Sequence, residues 1–473
     1  MPGGGRQPII GGNTRLHHPQ GDDPMSRRDF LKGALAAGTC HALSSLAPPA
    51  WIAAAEENAA ARWAHGEPAN QPMGTARGIH PGRVAWVHDP GAAHWDGDVQ
   101  AGGWHEDRFT DPVRADRMLR QTLKALTGAK NDAEAWNRLF RHSNQRRGRG
   151  AAGYQPGEKV VVKLNLNCCK RRADPGLGFY NTPQLTIALV RQLVQQAGVR
   201  QADLVVYDAS RFVPDSIFDP CNAEFPGIRF EDRDGGEGRF KVEPDLKTAL
   251  YFGDPATPAH GKTYLPKCAT GAVYQINAAV LKAHSLAGVT LCAKNHFGSV
   301  YRENTGPSDG HRGWNPSHLH QSVTVAQRPM GTYNALVDLI GHPDLGGKTI
   351  LYLLDALYAA PHQSVRPEKW LSPPAVNDWT SSVLASQDPV AIESVAVDFL
   401  GAEASASAVA GAVDNYLHEA ALAHKPPSGT RYAPAGDAKP LASLGVHEHW
   451  NDPQRRQYTR NLGTGEGIEL VAG

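Results

Sequence analysis

Short runs of β-branched and aliphatic residues alternate with amphipathic segments along the middle of the chain. Strands are predicted for residues 83–88 (RVAWVH), 158–167 (EKVVVKLNLN), 203–209 (DLVVYDA), 273–280 (VYQINAAV) and 348–354 (KTILYLL). Residues 160–162 are apolar throughout, which is typical of a parallel strand buried on both faces. The pattern predicts an α/β fold with a mainly parallel sheet flanked by helices, long ordered loops and a wrapping C-terminal tail.

Helices are predicted where capping residues precede apolar stripes. Asp111, followed by proline, predicts a helix start, and Gly128 predicts its end. The residues of this helix expected to face the core are Val113, Leu119, Leu123 and Leu126. Further helices are predicted to begin near residues 132, 183, 333 and 389, the last after a cap at Asp388. The basic stretch 141–150 is predicted to be a surface loop, and residues 212–266 show few regular signals.

Composition and the N-terminus indicate an exported protein. The chain has 473 residues, 41% of them hydrophobic, and a formal net charge of +1, so nothing indicates nucleic-acid binding. Residues 26–32 (SRRDFLK) precede a weakly apolar run and the small residues 53–55, as in a twin-arginine signal. The apolar run is too short to span a bilayer stably. We therefore expect transport by the twin-arginine translocase to the periplasm, without a stable membrane span.

These signals divide the chain into successive parts. The predicted parts are 1–24, a disordered extension or start-site artefact; 25–55, the signal peptide; 56–82, a linker; 83–425, the α/β domain; and 426–473, the wrapping tail. The cysteines that remain after cleavage are Cys168, Cys169, Cys221, Cys268 and Cys292. They show no ferredoxin-type spacing, so a self-contained iron–sulfur motif is absent, while a structural disulfide stays an open alternative.

Polar residues gather where the predicted strands end. The candidates are Lys163, Asn165, Asp208, Lys282, His284, Lys294, Asn295 and Asp355. The carboxyl ends of parallel strands share one edge of a sheet, so we expect these residues to converge. Neighbouring lysines lower one another's pKa unless an anion compensates, which favours a small carboxylate- or phosphate-bearing ligand. Catalytic roles are assigned to Lys282, His284, Lys294, Asp208 and Asp355, and ligand binding to Lys163, Asn165 and Asn295.

Two other functions stay open beside this enzyme hypothesis. Twin-arginine export moves folded proteins that often carry a cofactor, so a metal or iron–sulfur redox protein is one alternative. Its candidate metal ligands are His284, His296, His311, His318 and Cys292. A non-catalytic periplasmic binding protein is the other alternative. The cofactor is unknown on this basis.

The stretch 281–298 (LKAHSLAGVTLCAKNHFG), together with KLNLN, LLDAL and SQDPVAIESVAVDFLG, resembles the domain of unknown function 362 family. The resemblance covers roughly residues 83–400. It implies importance for Lys282, His284, Lys294, Asn295, Gly298, Asp338, Asp355 and Asp388, and it adds Asp338 and Asp388 to the expected ligand-binding residues. The family has no settled activity. Some members are linked to iron–sulfur clusters through an appended ferredoxin module, whose cysteines this chain lacks.

Overall fold

A mixed sheet of ten strands lies at the centre of the protein, in a computed structural model that describes residues 71–473 except 174–177, 258, 262, 302–315, 364, 407–408, 410–411 and 438. The strands are β1 (Met73–Gly74), β2 (Arg83–His88), β3 (Val160–Leu164), β4 (Leu204–Tyr207), β5 (Arg229–Asp232), β6 (Phe240–Lys241), β7 (Pro244–Ala249), β8 (Tyr264–Pro266), β9 (Tyr274–His284), β10 (Gly288–Thr290), β11 (Thr349–Ala360), β12 (Ser382–Ser386), β13 (Val446–His447) and β14 (Glu469–Ala472). Strands β1 and β13 pair with each other, as do β7 and β8, and the others form the central sheet.

Helices connect these strands. They are α1 (Pro112–Thr127), α2 (Asp132–Arg146), α3 (Pro183–Arg191), α4 (Asp215–Glu224), α5 (Lys267–Thr270), α6 (Cys292–Asn295), α7 (Pro316–Gln321), α8 (Ala335–Gly341), α9 (Pro389–Ala402) and α10 (Asn415–Ala421). Helix α3 continues into one π-helical turn, Gln192–Gln196. The predicted extension 1–24, the signal peptide 25–55 and the first part of the predicted linker 56–82 lie outside the described residues.

The strand order of the sheet is β14-β2-β12-β11-β9-β3-β4-β5-β6, with β10 paired to the end of β9. All neighbours from β11 to β6 along this order are parallel. Strand β12 is antiparallel to both β11 and β2, and β14 from the C-terminal tail is parallel to β2. The predicted α/β class, a mainly parallel sheet flanked by helices, is therefore confirmed.

Apolar residues on both faces of the sheet form two cores. Along β9, Ala278 and Val280 pack in the core that contains α1 to α4, while Ala279 and Leu281 pack in the core that contains α8 to α10. This alternation follows from the two-residue period of a strand. Because both faces are covered, the parallel strands read as nearly continuous apolar runs.

The chain leaves β3 and β9 toward opposite faces of the sheet. Strand β3 continues to α3, which packs in one core, and the neighbouring strand β9 continues to α6 and α8, which pack in the other. The loops after these two strands therefore diverge at the carboxyl edge. In open α/β sheets such a crevice is the usual place for a ligand.

Local signals near the N-terminal helices were mostly correct. The Asp111 side chain accepts hydrogen bonds from the first turn of α1, and Gly128 ends this helix at a φ of 66°. The prediction for Val113 was wrong, because it lies in the first turn and is 73% exposed. The loop predicted for residues 141–150 was also wrong in part, because α2 continues to Arg146.

Two other predictions need correction. Residues 212–266, expected to be mostly irregular, contain α4 and β5 to β8. Pro220 lies inside α4. Because proline usually ends a helix, the sequence pattern did not predict this helix. Asp355 was expected at a strand end but lies within β11, which continues to Ala360.

Asp388 is buried and caps α9, and its replacement should be unusually destabilising. Its carboxylate accepts hydrogen bonds from the backbone N–H groups of Arg77, Val390, Ala391 and Val446. Asp388→Ala leaves these buried donors without an acceptor, so we expect the free energy of unfolding to fall by roughly 2–4 kcal/mol. Urea denaturation followed by circular dichroism measures this loss.

The matched control is Asp111→Ala, which removes a partly exposed cap with two backbone hydrogen bonds. Its expected cost is about 1 kcal/mol. Equal losses in the two variants would contradict a special role for the buried cap.

Candidate functional site

A buried ion pair joins the ends of β3 and β4. Lys163 Nζ lies 3.0 Å from Asp208 Oδ2 and 2.9 Å from Asn295 Oδ1, and all three side chains are buried. Lys163 belongs to β3, Asp208 follows β4, and Asn295 ends α6. One lysine therefore connects two parallel strands with the short helix that follows β9 and β10.

Asp208 stays charged although it is buried. Burial acts to raise its pKa, but Lys163 and the hydrogen bonds from Ser210 outweigh this effect, so the pKa lies below its ordinary value. The N–H and the hydroxyl of Ser210 each donate to Asp208 Oδ1 at 2.8 Å. Both carboxylate oxygens are thus engaged in holding neighbouring groups.

Two buried asparagines extend this network. Asn295 Nδ2 donates to Asn277 Oδ1 at 2.7 Å and to the carbonyl of Ala278 at 3.1 Å. Asn277 Nδ2 in turn donates to the carbonyl of Cys292 at 2.9 Å and lies 3.0 Å from His296 Nε2. Burial lowers the pKa of His296 to about 3, so its ring is neutral and accepts from the amide. His296 is therefore part of the support of the site.

Gly298 lies against the ion pair. A Cβ atom at this position would be 2.6 Å from both Asp208 Oδ2 and Lys163 Nζ. Its carbonyl accepts a hydrogen bond from the N–H of Ala209 at 2.7 Å. The position therefore needs glycine because of close approach.

Asp355 anchors the loop that follows β3. Its Oδ2 accepts hydrogen bonds from the N–H of Thr182 at 2.6 Å and from its hydroxyl at 2.9 Å. The neighbouring Asn181 accepts from the N–H of Asn165 at 2.5 Å. Burial raises the pKa of Asp355 to about 6. Asp355 and Asn165 thus lie at the two ends of one short hydrogen-bonded connection.

Lys282 is a fully buried cation near the end of β9. Its Nζ donates to the carbonyl of Phe179 at 3.2 Å. Burial lowers the pKa of Lys282 and outweighs the opposing effects of Cys168, Cys169 and Asp208, while the charge of Arg211 lowers it further. The part of the chain that the structure describes gives Lys282 no ion pair.

His284 lies among other basic groups. Its Nδ1 accepts from the N–H groups of Leu286 and Ala287 at 3.0 and 3.2 Å, which places the ring proton on Nε2. The ring stacks on that of His320, with 5.6 Å between the ring centroids, and Lys294 Nζ lies 3.2 Å from His320 Nε2. Burial, followed by the charge of Lys294, lowers the pKa of His284 far below its ordinary value. The imidazole is therefore neutral.

The two acids added from the family resemblance lie elsewhere. Asp388 follows β12, which runs antiparallel to β11, so it lies at the opposite edge of the sheet. Asp338 Oδ2 accepts from the N–H of Gly253 at 3.1 Å and from the hydroxyl of Tyr333 at 2.8 Å. The structure does not bring either carboxylate to the lysines. The expected ligand-binding role therefore has no support from their positions.

The alternative metal ligands are not assembled. His311 lies outside the described residues, as does the side chain of His318. Cys292 is buried, which raises the pKa of its thiol, and it is a free cysteine. His284 and His296 have the separate surroundings described above. Within the described ranges, no three His, Cys, Asp or Glu side chains form a group that could hold a metal ion.

Sequence reasoning did not select Glu393. The Glu393 carboxylate accepts from the N–H of Ala293 at 3.0 Å and from the hydroxyl of Tyr416 at 2.6 Å, and burial raises its pKa to about 7. It therefore holds the start of α6, which carries Lys294. An acid within the mostly apolar stretch 389–400, which also contains Ser394 and Asp398, was the available signal.

Two family models match the chain. One is described as a domain of unknown function (DUF362) and matches residues 160–398, just over half of the chain. The other is the twin-arginine translocation (TAT) pathway signal sequence and matches residues 24–40. No curated protein matches the chain. The first match includes all the strand ends that carry the lysines described above.

Gly298→Ala should disrupt the buried ion pair. The added methyl group cannot lie 2.6 Å from both Lys163 Nζ and Asp208 Oδ2, so the pair must separate or the loop must move. We expect the free energy of unfolding to fall by about 2–3 kcal/mol, as measured by urea denaturation. Gly347→Ala is the control, because its nearest neighbour would be a carbonyl oxygen at 3.3 Å. Equal effects of the two substitutions would contradict the close-approach argument.

Asp338 should make the protein less stable as the pH rises. Burial raises the pKa of Asp338 from 3.8 to about 8. Near neutral pH the folded protein therefore holds a proton on this side chain that the unfolded chain has already released. Its stabilising effect is complete below the unfolded pKa and is lost as the pH rises to the folded pKa. Relative to Asp338→Asn, wild-type stability should fall by about 1.4 kcal/mol per pH unit between about pH 5 and 7.

Urea denaturation across this pH range tests the slope. The exposed Asp437→Asn variant is the control and should keep the wild-type slope. Parallel pH profiles for wild type and Asp338→Asn would show that Asp338 does not hold this proton.

Proposed function

The chain belongs to the family described as a domain of unknown function (DUF362), and on this basis we propose that it is an exported enzyme for a small carboxylate- or phosphate-bearing substrate. Its twin-arginine signal directs export by the twin-arginine route, in agreement with a periplasmic location. Among the described residues, no helix is long and apolar enough to cross a membrane. The proposed site is the carboxyl edge of the sheet around Lys282, His284 and Lys294.

The observation that carries this proposal is the charge of Lys282. A buried ammonium group is costly unless an opposite charge lies beside it. Asp208 is the acid near Lys282, yet its carboxylate is already bound by Lys163 and Ser210. Among the described residues, Lys282 has one hydrogen-bond acceptor, the carbonyl of Phe179, and Lys294 adds a second positive charge near His284. A ligand anion would supply the missing negative charge.

The same residues offer proton-transfer chemistry. A lysine whose pKa is lowered by burial can act as a base or as a Schiff-base nucleophile once it loses its proton. His284 is neutral with its proton on Nε2, so it can donate a hydrogen bond to an oxyanion. We assign Lys282 as the group that exchanges a proton with the substrate. Lys294 and His284 would bind the anionic part, and Lys163, Asp208, Asn295 and Asp355 would position the loops.

Lys282→Met removes the charge and keeps the buried apolar stem. We expect its affinity for inorganic phosphate or acetate at this site to fall by about tenfold or more, since a charged hydrogen bond is lost. Isothermal titration calorimetry measures the change, with the exposed Lys247→Met as control. Identical isotherms for wild type and Lys282→Met would contradict anion binding at Lys282.

Catalysis is tested separately from binding. Purified protein is incubated with a periplasmic small-molecule extract, and mass spectrometry follows the loss of anionic compounds. An enzyme should consume a compound in the wild-type sample and not with Lys282→Met. Binding without consumption would support a periplasmic binding protein instead.

A further inference from the structure

A second group of basic side chains lines a small cavity at the opposite edge of the sheet. The cavity lies where β11 begins and where the chain leaves β12, and its lining includes Arg77, His142, Ser143, Arg146, Tyr352 and Gln387. It is therefore separated from Lys282 by the length of the central strands. The family resemblance assigned no role to any of these residues.

The charged side chains that line this cavity are basic. Arg77 is partly buried, and its guanidinium donates to the carbonyl of Ser443, while the exposed Arg146 donates to the carbonyl of Gly347 at 3.1 Å. Asp388 is close to Arg77, but backbone N–H groups occupy its oxygens. The two guanidinium groups thus lie near each other, and no carboxylate lines the described cavity.

The hydroxyl of Ser143 is a second, independent indication. Ser143 is 2% exposed, lines the cavity from α2, and its Oγ has no hydrogen-bond partner among the described residues. A buried hydroxyl without a hydrogen-bond partner destabilises the folded state. A helical serine commonly satisfies itself on the carbonyl four residues earlier, which this one does not do. An acceptor within the cavity would complete its hydrogen bonding.

We propose that the cavity between Arg77, Arg146 and Ser143 binds a small oxyanion, namely a phosphate or carboxylate group. Guanidinium groups remain charged and present paired N–H donors that match the oxygens of such anions. The Ser143 hydroxyl supplies a donor from the wall of the cavity. Arg146 is exposed, so an anion can enter from solvent.

The test uses a signal that arises inside the cavity. His142 lines it, so ring resonances of histidine-labelled full-length protein are recorded during titration with inorganic phosphate, with acetate, and with chloride at matched ionic strength. We expect a saturable shift at His142 with phosphate or acetate and none with chloride. Comparing the two anions identifies whether phosphate or carboxylate is preferred. The His142→Gln spectrum assigns the resonance.

Variants locate the bound anion. Arg146→Gln should weaken binding by about tenfold and Ser143→Ala by several fold. Arg141→Gln is the matched control, because this exposed arginine lies on the same helix and donates to Ala151 away from the cavity. Lys282→Met should keep the His142 response, which separates this proposal from the proposed enzyme site. No saturable shift with either anion, or equal affinities for Arg146→Gln and Arg141→Gln, would overturn it.

Discussion

The buried ion pair between Lys163 and Asp208 is the interaction on which the carboxyl edge of the sheet depends. It joins β3 to β4, and through Asn295 it also joins them to α6. Removing two charges from water is costly, and the pair repays that cost only with good geometry and further hydrogen bonds. Ser210 and Asn295 supply those bonds, and Gly298 allows the close approach. The support of the site and its basic groups are thus built from the same short stretch of chain.

The acidic and basic side chains of this region differ in how many of their hydrogen bonds and ion pairs are formed within the protein. Asp208 holds Lys163, Asp355 holds Thr182, and Glu393 holds the start of α6. Each is therefore a structural acceptor that fixes a backbone segment or a cation. In the described part of the chain, Lys282 donates a hydrogen bond to a carbonyl and to no carboxylate, and the nearby His284 is a neutral ring. The chemistry of the edge is for this reason basic, although the sequence contains nearly equal numbers of acids and bases.

Sequence reasoning succeeded where one local signal decides the structure. Apolar runs located β3, β4, β9 and β11, and Asp111 and Asp388 located helix starts. It failed where distant packing decides. In the sequence, an aspartate that follows an apolar run looks like the end of a strand. Asp355 instead lies inside β11, where its carboxylate accepts hydrogen bonds from Thr182, and the sequence does not reveal this distant contact. The stacking of His320 on His284 likewise joins residues that are distant in the chain, and no periodicity reveals it.

In the proposed enzyme, the burial of Lys282 would link ligand binding to proton binding. Without an adjacent anion, burial favours the neutral amine, because the charged form loses its hydration. An anion placed beside it raises the pKa of Lys282 again, so the ligand and a proton bind together. In the pair Lys163–Asp208, by contrast, a fixed carboxylate of the protein lies 3.0 Å from the lysine Nζ. Lys282 has no ion pair among the described residues, so under the proposed function its charge would respond to the arrival of an anionic substrate.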